Sequence, residues 1–224
     1  MTATVKGRRR SGERRAEQAA QTRRRVLGAA SDLFQKHGYA STTVIMIATG
    51  ARVAPETVYK AFGSKRQVLQ ELIDSSVVGA SARLPKGVIE SEAFQSIGRE
   101  PAQRRRLAML AHLTRTILER AGPVHAIIRS AAATDPEIAA LRAQQQRDRL
   151  RGQREFVRIL AEAGPLRDGL DREDAAYQYW ILASPELQHI LVSEQGWSHD
   201  RYEAWLFMSL ETSLLPPAAL AAGR

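Results

Sequence analysis

The 224-residue chain contains no cysteine, which excludes disulfide bonds and thiolate metal sites and agrees with an intracellular location. It has no run of about 18 apolar residues, the length a helix needs to cross a bilayer, so no transmembrane helix and no membrane partner are expected. The arginine-rich start leads into residues 26–40, where Asp32 and other polar groups interrupt the apolar side chains, so no secretory signal is expected. The expected location is the cytoplasm. Catalytic signatures are missing too: there is no His-Glu-x-x-His, no Gly-x-Ser-x-Gly and no glycine-rich phosphate loop. His37, His125, His189 and His199 lack the spacing of metal ligands. No enzyme activity, cofactor or metal is therefore expected. Aromatic residues make up 6% of the chain and form no RNA-reading platform. Alternating strand patterns and internal repeats are absent, and low complexity is confined to the Arg-rich start and the Ala-rich end.

What is present is a helical period and an uneven charge. Hydrophobic residues make up 44% of the chain, enough for a globular body. The net charge is +9. Residues 1–25 carry nine Lys or Arg against Glu13 and Glu17, and residues 26–66 carry Lys36, Arg52, Lys60, Lys65 and Arg66 against Asp32 and Glu56. The remainder is close to neutral, so the excess positive charge lies in the first 66 residues and a polyanion is the natural partner. Arg8, Arg9, Arg10, Arg14, Arg15, Arg23, Arg24 and Arg25 form a basic arm that either follows phosphates or stays solvated.

The same region reads as three short helices. Val26, Leu27, Ala30, Leu33 and Phe34 form an apolar stripe that stops at Gly38, a residue suited to a left-handed cap. Ser41, Thr42 and Thr43 offer hydroxyl acceptors to a second helix with Val44, Ile47, Ala48 and Ala51 inward. Ile45 and Met46 flank this stripe where polar residues would be usual, and are expected to enlarge the packing contact with the second domain. Pro55 suits the first turn of a third helix, which packs Val58 and Phe62 inward and turns Glu56, Thr57, Tyr59 and Lys60 outward. A short helix, a tight turn and a second helix with polar and cationic outward groups is the arrangement that inserts into a major groove. The candidate DNA-binding residues are Thr42, Thr43, Arg52, Pro55, Glu56, Thr57, Tyr59, Lys60 and Lys65, with base contacts assigned to Glu56, Tyr59 and Lys60 and phosphate contacts mainly to Thr43, Thr57, Tyr59 and Lys65.

Ala29-Ala30, Leu33-Phe34, Gly38-Tyr39, Thr42-Thr43-Val44, Ile47-Ala48, Ala51, Val53, Thr57-Val58-Tyr59, Phe62, Lys65 and Leu69 together resemble the TetR family of transcriptional regulators. A looser likeness to the C-terminal region of such regulators lies in Ala183-Ser184-Pro185-Glu186 and in residues 196–206. The resemblance implies an all-α homodimer: an N-terminal helix-turn-helix domain, a larger C-terminal domain enclosing a small-molecule effector, and dimerisation through the last two long helices. Two positions depart from the pattern. Arg52 stands where the family has a turn glycine, at a cost of about 1 kcal/mol if the turn is left-handed. Ala54 stands where the family has a capping serine, a loss of about 1 kcal/mol. Arg52 is also placed to contact a phosphate.

Beyond the motif, helices are expected over 67–83, 102–121, 136–163, 172–195 with a restart at Ser184-Pro185, and 199–214, with Val124, Ile127, Ile128 and Ala131 forming another turn or two, and with Leu84-Pro85-Lys86-Gly87, Gly122-Pro123, Gly164-Pro165, Gly196 and Pro216-Pro217 as stops. The expected domains are a flexible basic arm at 1–19, a DNA-binding domain at 20–80 with its motif at 43–62, and an effector and dimerisation domain at 81–224, giving about nine to ten helices in all. Arg147, Arg151, Arg154 and Arg158 share one helical face, either solvated or an anion site. Met109, His112, Tyr177 and Trp180 are candidate effector contacts or core residues. Leu187, Ile190, Leu191, Trp205, Leu206 and Leu210 are the candidate dimer interface. The function this points to is a ligand-responsive repressor on a palindromic double-stranded DNA operator. The competing readings are a nonspecific nucleic-acid-binding architectural protein and an all-helical enzyme with a fortuitous motif.

Overall fold

A computed structural model describes residues 3–78 and 88–217, with side chains from residue 14 onward. The described residues form helices joined by turns and short connections and contain no strand, as the periodicity predicts. They fall into two compact units: Met1–Ile73 with Ala126–Ala139, and Asp74–His125 with Ala140–Arg224. The sequence boundary at 80–81, the expected helix end at Arg83 and the stop at Leu84-Pro85-Lys86-Gly87 lie outside the described residues, as do the side chains of Arg8, Arg9 and Arg10. The first unit also draws on residues 126–139, which the sequence had assigned entirely to the C-terminal domain.

In the first unit, α1 (Ala3–Ser41) is interrupted at Gly38, whose φ of 78° is the left-handed break expected of it. The backbone is already helical at Ala3, so residues 3–19, expected as a flexible arm, continue α1. Val26, Ala30 and Phe34 are buried, and Phe34 meets Tyr39 beyond the break at 5.3 Å between ring centres. α2 (Val44–Ala51) buries Val44, Ile47, Ala48 and Ala51, and α3 (Pro55–Phe62) buries Val58 and Phe62. α4 (Lys65–Val78) follows after Gly63, which holds φ 81° as the C-cap of α3. Buried Ile127, Ile128 and Ile138 come to this unit from the later segment.

The second unit contains a 3₁₀ turn (Val88–Glu90), α5 (Glu92–Gly98), the first part of α6 (Gln103–Ala132), most of α7 (Pro136–Glu162), α8 (Arg172–Leu182), α9 (Pro185–Gln188) with a π-helical continuation (His189–Glu194), and α10 (His199–Leu214). Side-chain caps begin α5, α7, α8, α9 and α10 at Ser91, Asp135, Asp171, Ser184 and Ser198. One stop fails: α6 runs through Pro123 to Ala132 rather than ending at Gly122-Pro123. Proline removes one backbone donor and crowds the preceding turn, but apolar residues on both sides, Leu118, Ala121, Val124 and Ile127, are buried and hold the helix. The core gathers Phe94, Leu107, Leu110, Phe156, Leu160, Tyr179 and Leu206. Phe156 stacks on Phe94 at 5.3 Å and meets the Tyr179 ring edge-on at 5.6 Å. The buried Arg106 guanidinium donates to the Glu100 carbonyl in the connection after α5 and to the Ile159 carbonyl, one of the groups the end of α7 leaves open.

Candidate nucleic-acid interface and effector cleft

The turn between α2 and α3 is built on Arg52, which adopts φ 55°, ψ 52° and donates its backbone N–H to the Thr49 carbonyl at 3.0 Å. A non-glycine residue here carries the left-handed penalty anticipated from the sequence. Arg25 offsets part of it: its guanidinium donates to the carbonyls of Ala51 and Arg52, the open C-terminal end of α2. Ala54 precedes α3 with no side-chain cap, and Pro55 fills the first turn. Thr43 does cap α2, its hydroxyl accepting from the Met46 N–H at 3.2 Å.

Outward from this frame stand Glu56, Tyr59 and Lys60, all exposed, with Thr57 half-buried beside them. Arg52 and Thr43 are exposed at the edges of the same motif. Ile45, expected to add packing surface, is 65% exposed instead, because the inward face of α2 is already filled by Val44, Ile47, Ala48 and Ala51.

Two sequence candidates are removed from the DNA-facing set by their geometry. Thr42 is fully buried, and its hydroxyl donates to the Gly38 carbonyl at 2.8 Å, closing the break after α1. Lys65 points its ammonium at the carbonyls of Tyr39, Thr42 and Ala40, at 2.8, 2.9 and 3.4 Å. An ammonium has three hydrogens, and these oxygens take all of them. Burial lowers the Lys65 pKa from its ordinary value, with Asp135 opposing that shift. Asp135 and Glu137, about seventy residues away in sequence from Lys65 and Arg66, belong to this unit, and Glu137 pairs with Arg66 at 3.4 Å.

The basic run also divides. Arg23 bridges to Glu71, donates to the Ala61 carbonyl at 2.9 Å and lies 4.6 Å over the Phe62 ring, which ties α1 to α3 and α4. With Arg25 engaged at the end of α2, the exposed cations left in the described part of the run are Arg14, Arg15 and Arg24.

Residues 26–72 match the family model for bacterial regulatory proteins of the tetR family. The N-terminal domain is of the TetR family. Solved structures agree on the fold across most of the chain. A regulator from Saccharomonospora viridis in complex with choline is 21% identical, with a TM-score of 0.63 over 86% of this chain and 96% of that one. SmeT, repressor of the Stenotrophomonas maltophilia multidrug efflux pump SmeDEF, is 19% identical, with a TM-score of 0.62 over 91% and 96%. TylP, a TetR regulator from Streptomyces fradiae, is 21% identical, with a TM-score of 0.60 over 90% of each chain. A search of curated protein sequences gives no significant match.

The second unit holds a cleft of about 590 Å³ between the end of α4, the 3₁₀ turn, α5 and α6. Its walls are Val77, Val88, Ile97, Met109, Leu113 and Ile117, with Ser91, Ser96, Thr116, His112 and Arg120 as polar members. Of the four candidate effector contacts, Met109 and His112 line this cleft. The His112 Nδ1 lies 3.1 Å from both Glu203 carboxylate oxygens, and Arg115 binds the same carboxylate at 3.0 Å. Tyr177 and Trp180 are not in the cleft. They lie on α8, whose inward face is Ala175, Ala176 and Tyr179, so Tyr177 turns outward and the Trp180 ring lies 5.4 Å from the Arg149 guanidinium. Burial lowers the Arg149 pKa to about 10, while it donates to the carbonyls of Trp180 and Ala183 at 3.2 Å.

The dimer candidates also need correction. Leu206 and Leu210 are fully buried in their own chain, on the α10 face that carries Tyr202 and Leu214. Leu187, Leu191 and Trp205 are half-buried, and only Ile190 of that set is largely exposed, at 43%. Helical spacing marks an apolar face without saying what covers it. The large apolar side chains exposed on α8 and α10 are Tyr177, Ile181 and Met208. The four-arginine row on α7 is solvated and paired locally: Arg154 with Glu173, Arg158 with Glu155 and Glu162, Arg151 with Asp148 and Arg147 with Gln144. Among the described residues no cluster of His, Asp or Glu is arranged to hold a metal, and no helix is long and apolar enough to cross a membrane.

Proposed function

We propose that this chain is a cytoplasmic, sequence-specific transcriptional regulator that binds a palindromic operator as a homodimer and is released from it by a small molecule. The observation that carries this reading is the exposed row Glu56, Tyr59 and Lys60 on α3, held by a TetR-type motif whose inward positions are fully packed. Lys60 suits a guanine edge and Glu56 a cytosine amino group, while Thr43, Thr57, Tyr59 and Arg52 are placed for phosphates. One recognition helix covers few base pairs, so a two-fold partner is required for specificity. The exposed apolar side chains Tyr177, Ile181 and Met208 support α8 and α10 as the contact between copies. The cleft lined by Met109 and His112 is the proposed effector site. Two proteins of similar fold are described with small molecules bound, choline in one and triclosan in the other, which favours such a site here.

Selection of bound fragments from random duplexes, followed by titration at fixed salt, tests the reading. A dyad-symmetric site bound at least about a thousandfold more tightly than random duplex is expected. Equal affinity for all duplexes would instead make the chain an architectural nucleic-acid-binding protein.

A further inference from the structure

Resting on the reading of the cleft as the effector site, the geometry points to an amphiphilic anion as the molecule it takes: an aliphatic chain carrying one carboxylate, held by Arg120. The walls are apolar, and the charged and ionisable lining groups among the described residues are His112 and Arg120, with no carboxylate. A cationic ligand would lose its hydration there without a counter-charge, whereas an anion meets a guanidinium.

The hydroxyls in the cleft sharpen the choice. Ser91 donates to the Val88 carbonyl at 2.5 Å, Ser96 to that of Ala93 at 2.8 Å and Thr116 to that of His112 at 2.9 Å. With their hydrogens engaged, these groups offer lone pairs, which repel a carboxylate. His112 has its Nδ1 on Glu203. Donation to an anion therefore falls to Arg120. Its Nε and Nη2 make only long hydrogen bonds, 3.4 Å to the Ser76 carbonyl and 3.3 Å to that of Val77, and Nη1 makes none among the described residues. A carboxylate is a stronger acceptor than those carbonyls, so an anion in the cleft competes directly with the last turn of α4 for the same guanidinium.

Calorimetric titration of the full chain, without DNA, with octanoate, decanoate and dodecanoate tests this against decanol and decyltrimethylammonium. Decanoate should bind at least about tenfold more tightly than decanol, with affinity rising about threefold to fourfold per methylene until the cleft is full. Arg120→Gln, at an exposed position, should bring decanoate down to the level of decanol and leave decanol unchanged. Ala93→Trp, also exposed, should fill the cleft and weaken every amphiphile. Equal binding of acid and alcohol, tighter binding of the ammonium, or an acid preference that survives Arg120→Gln would each overturn the proposal. Operator release is measured separately: decanoate that binds through Arg120 yet leaves operator affinity unchanged would refute the cleft as the effector site while leaving the anion preference standing.

Discussion

The Lys65 ammonium lies 2.8 Å from the Tyr39 carbonyl oxygen and 4.2 Å from the centre of the Tyr39 ring, clamping the chain just beyond the left-handed break at Gly38. Three carbonyls converge on one cation, so its role is to hold the motif together. Lys65→Met should destabilise the protein by about 1.5–3 kcal/mol, the usual value of a charged hydrogen-bonding group. Urea denaturation measures this. If stability were unchanged and the salt slope of operator binding fell by about one unit, Lys65 would be a phosphate contact instead.

The turn before the recognition helix carries two unfavourable residues, and each has a defined remedy. Arg52→Gly relieves the left-handed strain and should stabilise the protein by about 1 kcal/mol. Ala54→Ser adds the missing cap of α3 and should contribute about 1 kcal/mol more. Thermal denaturation of the single and double variants reads both effects. Should Arg52→Gly also make the salt dependence of DNA binding shallower, Arg52 contacts a phosphate as well.

Specific readout is assigned to Lys60. Its replacement by alanine should weaken binding to the selected site by about 1–3 kcal/mol and relax the preference at one base pair per half-site. Thr43→Val should weaken binding to all duplexes alike, whereas Thr42→Val should act through stability, since the Thr42 hydroxyl is buried on the Gly38 carbonyl. A fluorescence-anisotropy titration over a panel of single-base variants of the site separates these outcomes; unchanged base preference in Lys60→Ala would remove it from the readout set.

Association is assigned to the exposed apolar residues of α8 and α10. Ile181→Glu and Met208→Glu place charges where the structure shows 54% and 64% exposure, so neither should unfold the chain. Both are expected to shift sedimentation from dimer to monomer at micromolar concentration and to abolish tight operator binding. A wild-type chain that already sediments as a monomer would contradict the assignment.

Two buried tyrosines should respond differently to the same substitution. The Tyr179 hydroxyl is 2.9 Å from the Thr114 hydroxyl, whereas the equally enclosed Tyr202 hydroxyl has no hydrogen-bond partner among the described residues. Tyr179→Phe should cost about 1 kcal/mol, and Tyr202→Phe should be neutral or stabilising. Chemical denaturation of both variants checks the contrast, and a comparable loss in Tyr202→Phe would reveal a partner for that hydroxyl.

The sequence by itself determined the helical class, the motif and most helix starts, because these are local. Val44, Ile47, Ala48 and Ala51 are inward simply by their spacing, and Asp171, Ser184 and Ser198 cap helices through groups two or three residues away. Only the tertiary structure decided what each cation or apolar face does. Lys65, Arg23 and Arg25 looked like phosphate ligands in a basic segment, yet each finds carbonyls or a carboxylate 23 to 48 residues away in sequence. Leu206 and Leu210 looked like an interface because periodicity cannot separate a face covered by the same chain from one left open, and here the core of the second unit covers them. The same reason put Met109 and His112 in the cleft while Tyr177 and Trp180 went elsewhere: helical spacing fixes which residues share a face, and long-range packing fixes what that face meets.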